Sequence, residues 1–341
     1  MLKIIPNYIR INLSKKLRLV VTLPIISILL MSCSGGSPSA NAPGINNATL
    51  YISSPSQNKV YPLLPATETI GAPMSIGGDP QQLTNTFNGL SIFIATPGTQ
   101  DLSEISPLKA YPVDYPIHIG KPITSMVIEP SNGHVNGYAV YNGKGIVSVD
   151  ILTRKVLGVY DYGSHINAVQ VSRSGLILYA IDKGTDEFYK IAVVHHNIKR
   201  VIKLPGTPTD LQLSLNGVVA YVAIGSLNEV IPINLENYKM LAPIPTGIDP
   251  TQILIDKATL KGYVVNAGSN YLSQFSLITN GSLDPILTLP GITAGVVSIG
   301  GLNLYLASST LKELAQINTI SESQVASIPL NFHPGYLTIN G

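Results

Sequence analysis

The sequence predicts an all-β fold, a seven-bladed β-propeller of four-stranded antiparallel blades, and three observations predict it. The first is an aromatic that returns at a fixed step: Tyr51, Phe93, Tyr138, Tyr179, Tyr221, Tyr263 and Tyr305, separated by 42, 45, 41, 42, 42 and 42 residues. A repeat of this length with strand-like composition marks a ring of sheets, and seven members predict seven blades. The second is a proline at the same step, at Pro80, Pro122, Pro208, Pro250 and Pro334, with the missing members falling near His165 and Ile292. The third is the lack of convincing helical periodicity after the first fifty residues. Alternating strand and helix, as a parallel α/β sheet requires, is not found.

The chain opens with Lys3, Arg10, Lys15, Lys16 and Arg18 and no acidic residue, followed by the 13-residue, mostly apolar run Leu19 to Met31. Spanning a bilayer takes about 20 residues, so this run has the length of a signal-peptide core instead. It ends in Leu30-Met31-Ser32-Cys33, which resembles a bacterial lipobox: aliphatic at −3, small at −1, cysteine at +1. The peptidase needs a small residue before its cut, and the Cys33 thiol must be free to take a diacylglycerol. Cys33 is the only cysteine in the chain, which suits a lipid acceptor better than a disulfide. The lipid then supplies the membrane anchor. By its resemblance to bacterial lipoproteins, Ser34 after the cysteine implies the outer membrane of the cell envelope.

The expected organisation is therefore a signal peptide over 1–32, a lipidated Cys33 with a tether over 33–47, and the propeller over 48–341. The tether, SGGSPSANAPGINN from Ser34 to Asn47, has the composition of a flexible linker. Processing also changes the charge. The whole chain carries 21 Lys/Arg and 19 Asp/Glu; losing the five basic residues of the leader leaves 16 − 19 = −3. A basic face for nucleic acid is not expected on the mature domain.

One repeat shows how each blade is built. Ile166 to Ser172 reads as a short inner strand, Arg173-Ser174-Gly175 as a turn, and Leu176 to Ile181 as a near-continuous apolar strand buried on both faces. Asp182 to Asp186 is a polar loop, Phe188 to Val194 a third strand, His195-His196-Asn197 a turn, and Lys199 to Leu204 the fourth strand. The turn glycine recurs at Gly89, Gly133, Gly217 and Gly301, with Thr259 in its place once. The domain opens on LYIS, a second strand, and closes on Gly335 to Asn340, a first strand. Pairing the two would join the ring non-covalently.

With no Trp in the chain, WD-type repeats are excluded. The blade cores resemble the YVTN-type propeller repeat, best at Tyr263-Val264-Val265-Asn266-Ala267-Gly268-Ser269-Asn270 and more weakly around Tyr221 and Tyr51. Asn266 to Leu287 is also similar to a blade of the lactonase-type seven-bladed propellers. These motifs are structural and imply fold more than activity.

Catalytic signatures are sparse. His-Glu-x-x-His, Cys-x-x-Cys, Gly-x-Ser-x-Gly and Gly-Lys-Ser/Thr are all missing from the sequence. The residues preceding the proline marks are Asp79, Lys121, Ser164, Thr207, Asp249, Gly291 and His333, which the repeat places around one channel mouth. Two carboxylates and a histidine there have the chemistry to hold a divalent cation or to do acid–base work. The same residues are equally at home as turn dipeptides bonding local backbone. His195-His196 falls in an outer turn, where adjacent side chains diverge. Lys109 to Pro116, with two Tyr-Pro pairs, reads as an exposed rim on an outer strand. Two functions follow. One is a non-catalytic binding or scaffold propeller for an envelope protein, peptide or surface ligand. The other is a lactonase-like hydrolase, metal-assisted, with its site at the channel mouth.

Overall fold

The computed structural model describes residues 48–340 except 87, 109–110, 114, 130–135, 142 and 163–164. The signal peptide, Cys33 and the tether lie outside the described residues, as do Gly133 and Ser164.

Seven antiparallel sheets form seven blades. Their inner strands are Leu83–Asn85, Ile123–Ile128, Ile166–Val171, Pro208–Leu213, Pro250–Asp256, Ile292–Val297 and Leu337–Asn340. Each pairs with a second strand that carries one of the repeat aromatics. All seven aromatics are buried, Tyr221 and Tyr263 completely. They pack between blades: Tyr221 contacts Phe275 of the following blade, with ring centroids 4.9 Å apart, and its hydroxyl donates to Asn280 Oδ1 at 2.7 Å. The 42-residue period is thus a packing requirement, because each blade must offer its neighbour the same large apolar group at the same height.

The blade worked through in the sequence runs Ile166–Val171, Ile177–Asp182, Glu187–Ala192 and Asn197–Lys203. Its turn glycine, Gly175, has φ +71°, and Gly89, Gly217 and Gly301 share that left-handed conformation. An L side chain there is strained, which explains the recurrence. In the sixth blade, where Thr259 replaces glycine, the left-handed residue is instead Leu260, one position later.

The ring closes as expected. Thr49–Ser54, a second strand, pairs antiparallel with the C-terminal Leu337–Asn340 in the register Leu50↔Ile339 and Tyr51↔Thr338. Ser53 extends the clasp: its N–H donates to Tyr336 O at 2.9 Å, its carbonyl accepts from Gly335 N at 2.8 Å, and its Oγ accepts from Tyr336 N at 2.8 Å.

The outer strands depart from the simple repeat. In three blades the outer strand is broken into two short pieces: Thr69–Ile70 and Met74–Ser75, Tyr111–Pro112 and Ile117–His118, Lys239–Met240 and Ile244–Pro245. Pro73, Pro112, Pro116 and Pro243 fall in or beside these breaks. Proline cannot donate to a ladder and belongs on an edge, so the breaks occur where pairing is already one-sided. The Lys109 to Pro116 rim is one of them, and Tyr115 on it is 76% exposed.

Candidate functional site

Each inner strand starts at one face of the ring, the mouth face, and runs to the opposite turn face. The inner strands enclose a channel cavity of about 960 Å³. At its wall, one register position recurs seven times: Gln82, Ser125, Ala168, Asp210, Gln252, Ala294 and Tyr336. All except Ala294 line the cavity.

The polar members of this ring hold the blades together. Gln82 Oε1 accepts from Met126 N at 2.7 Å, Asp210 Oδ2 from Ile253 N at 2.7 Å, and Gln252 Oε1 from Gly295 N at 2.8 Å. Gln252 Nε2 also donates to Gly295 O at 3.2 Å. In each case the partner is the backbone of the next inner strand. Gln170 Nε2 to Leu211 O, at 3.1 Å, repeats the device one layer deeper. These bonds occupy inner-strand backbone groups that no ladder serves on the channel side.

Asp210 differs from its equivalents in carrying charge. Burial pushes its carboxyl up to about 6, and hydrogen bonds from the Ile253 and Leu211 N–H groups and the Gln212 amide only partly offset that. Burial also raises the Tyr336 phenol, with further contributions from the Asp79 and Asp210 carboxylates. Ser125 Oγ and Asn167 Oδ1, both on channel-lining residues, are buried with no hydrogen-bond partner among the described residues.

The residues singled out by the proline marks sit on the mouth face as loop residues. Asp79 and Asp249 are exposed, and both adopt left-handed backbone, φ +57° and +56°. Their N–H groups donate to Asn58 Oδ1 at 2.7 Å and Asn228 Oδ1 at 2.9 Å. Two blades therefore use one loop design, in which an asparagine in left-handed conformation caps the entry to the next inner strand. His333 is exposed, and its Nδ1 lies 3.0 Å from Ser309 O. Lys121 is exposed beside Gly120, which has φ +70°. Ser164 lies outside the described residues.

These groups do not converge. Among the described residues, no three His, Cys, Asp or Glu side chains come together in a way that could hold a metal ion. A hard divalent cation takes several oxygen ligands at once, and the donor set of Asp79, Asp249 and His333 does not fit one. His196, in the outer turn, stacks on Tyr160 with centroids 3.5 Å apart, and burial and the neighbouring His195 lower its pKa. No sequence motif singles out Asp210, Gln82, Gln252 or Tyr336, although each stands two residues after a proline mark, a regularity by which they can be found.

No protein-family model and no curated protein matches the chain. Solved structures do. A protein of unknown function from Desulfotomaculum acetoxidans DSM 771 superposes with TM-score 0.75 at 13% identity, covering 86% of this chain and 98% of that one. Hydrazine synthase of Kuenenia stuttgartiensis gives 0.68 at 16%, covering 84% and 99%. A candidate 6-phosphogluconolactonase of Bacteroides fragilis NCTC 9343 gives 0.71 at 15%, covering 88% and 100%. At these identities the likeness is one of fold, and the differing names illustrate that a propeller does not dictate chemistry.

Proposed function

We propose that this chain is a lipid-anchored, non-catalytic binding propeller of the cell envelope, held to the outer membrane through Cys33, which presents its mouth face to an envelope protein or peptide. The observation that carries this reading is the use made of the channel's polar ring. Gln82, Asp210 and Gln252 are each bonded to the backbone of the next blade. Groups committed to holding the ring are poorly placed to move protons for a substrate. Asp79 and Asp249 enter the loop architecture through their backbone N–H groups, and His333 through its Nδ1 beside the Ser309 carbonyl. What the molecule offers is a rim of exposed loops on one face of the ring, the arrangement a binding surface needs. The mature charge of −3, from the counts above, argues against nucleic acid as the partner.

In-cell photo-cross-linking from positions 249 and 333 tests the proposal. A discrete envelope protein or peptide captured from both positions is the expected result. The absence of any specific adduct, together with lactone hydrolysis by the purified protein, would overturn it.

A second reading draws on Asp210. A carboxyl with a pKa near 6 inside a large channel could act as a general base in a lactonase-like hydrolysis. The Bacteroides fragilis neighbour favours testing it with lactones. On this reading Asp210→Asn abolishes turnover while the protein stays folded.

A further inference from the structure

The turn face carries more exposed aliphatic residues than the mouth face, and most of them recur at one position of the repeat. The turn between the third and outer strands has one tip position per blade, occupied by Ala66, Leu108, Leu152, Val194, Glu236, Ile278 and Ile320. Five of the seven are aliphatic, and those five are 69–80% exposed. Such side chains at turn tips are not there for the core. A second, inner set adds to them. The turns between inner and second strands expose Leu90, Leu176, Leu260 and Leu302, with Ile299 beside them. On the mouth face the loops between second and third strands are chiefly Ser, Gly, Thr, Gln and Lys, and the exposed aliphatic residues are fewer: Leu227, Leu311, Ile248 and Leu287. Exposed apolar groups gathered on one face of a protein mark a contact surface.

Chain direction supplies the occupant. Thr49–Ser54 is a second strand, and second strands run from the turn face to the mouth face. The chain therefore enters the propeller at the turn face. The 14 residues from Ser34 to Asn47 lead there from Cys33. From its Gly, Ser, Pro and Asn composition, a linker of that length is expected to span about 20 Å end to end. A lipid on Cys33 would hold this face, and not the mouth, close to the bilayer.

We propose that the turn face docks on a lipid surface, with Leu108, Leu152, Val194, Ile278 and Ile320 inserted at the headgroup–acyl boundary. The orientation rests on the Cys33 anchor for delivery, while the apolar contact is independent of it. Exposed charged residues on the face, among them Glu68, Lys155, Arg173, Lys239, Lys257 and Glu322, stand among the tips, where a headgroup layer can solvate them. Docked this way, the propeller turns its channel mouth and the Asp79, Asp249 and His333 loops away from the membrane.

The test uses the full chain, reconstituted in phosphatidylethanolamine–phosphatidylglycerol vesicles. Lipidation consumes the sole native thiol, so Leu152→Cys, Ile278→Cys and Ile320→Cys each give one site for an environment-sensitive dye. Thr310→Cys on the mouth face is the control. Substituting exposed tips leaves the packing between blades intact. With brominated acyl chains in the vesicles, dye emission at the three tips should fall at least twofold and that at 310 should not. Equal emission at all four sites overturns the proposal. Mass spectrometry of the N-terminal peptide reads the anchor separately. If Cys33 carries no lipid, the anchor reading fails. The labelled variants are then made with Cys33→Ala and added to the same vesicles, where quenching still supports the face and its absence still overturns it. A tip that shifts to the blue in native envelopes but not in protein-free vesicles assigns the face to a protein partner, and also overturns lipid docking.

Discussion

Asp210 is where a single side chain does most to distinguish this ring from a regular repeat. Two of its equivalents, Gln82 and Gln252, make the same bond to the next strand without charge. In the fold, burial holds the Asp210 carboxyl above its ordinary value of 3.8, near 6. Its ionisation therefore weakens the fold. The penalty is nil below about pH 4, grows as pH rises from about 4 to 6, and is complete above that. Two pH units correspond to about 3 kcal/mol, less to the extent that channel water solvates the carboxylate. Asp210→Asn should raise stability at pH 7.5 by about 1–3 kcal/mol and flatten this part of the pH dependence. Urea midpoints at pH 4.5 and 7.5 decide it, and parallel curves for the two proteins would refute the assignment. Gln252→Ala should act in the opposite direction, since it strips the Gly295 N–H and C=O of their partner. A loss of about 1–3 kcal/mol is expected, independent of pH. Tyr221→Ala, at a fully buried repeat aromatic, should cost about 3–5 kcal/mol, whereas Tyr221→Phe loses only the bond to Asn280, about 1 kcal/mol.

At the scale of elements, the ring depends on one non-covalent seam. Leu337–Asn340 is the inner strand of a blade whose other strands come from the start of the domain. Deleting residues 335–341 would leave Leu50 and Ile52, both fully buried, facing water along an unpaired strand. The expected outcome is loss of the single cooperative unfolding transition in calorimetry, with a destabilisation above about 4 kcal/mol. A truncated protein that melts at the wild-type temperature would show that the seam is dispensable. The broken outer strands belong to this scale too. The prolines that interrupt them are plain in the sequence at Pro73, Pro116 and Pro243. That they split a strand instead of ending it follows only from pairing on both sides of the break, as with Lys59↔Ser75 and Leu63↔Ile70 on one neighbouring strand.

For the whole molecule, the proposed arrangement is a ring tethered at its turn face with its mouth turned outward. Cys33→Ala should move the protein from the membrane pellet to the soluble fraction, read by fractionation and immunoblot. Retention of the variant in the pellet would count against the lipobox. No helix among the described residues is long and apolar enough to cross a membrane, so this variant leaves no helical span in the propeller to mask the result.

The seven-bladed architecture and its closure could be read from spacing alone. Repeat proteins make the same packing demand in every unit, and a demand repeated at Tyr51, Tyr138, Tyr221 and Tyr263 is visible without coordinates. The proposed leader and its lipidated Cys33 rest on a linear motif of the kind processing enzymes read, outside the described residues. The candidate site was legible only as a set of loop positions. Asp79, Asp249 and His333 share a register, yet how each is held depends on a neighbour that sequence does not supply: Asn58 and Asn228 for the Asp79 and Asp249 backbone N–H groups, and the Ser309 carbonyl for the His333 ring. No motif marks Asp210 in the sequence; its role follows only when its strand is set against the next, 43 residues on, where the Ile253 N–H meets it. The aliphatic tips were equally hidden, because an apolar residue in a strand-rich chain reads as core by default. Only the tertiary structure separates the leucines that face a neighbouring blade from those that face outward, since burial is a property of the assembled ring and not of the residue.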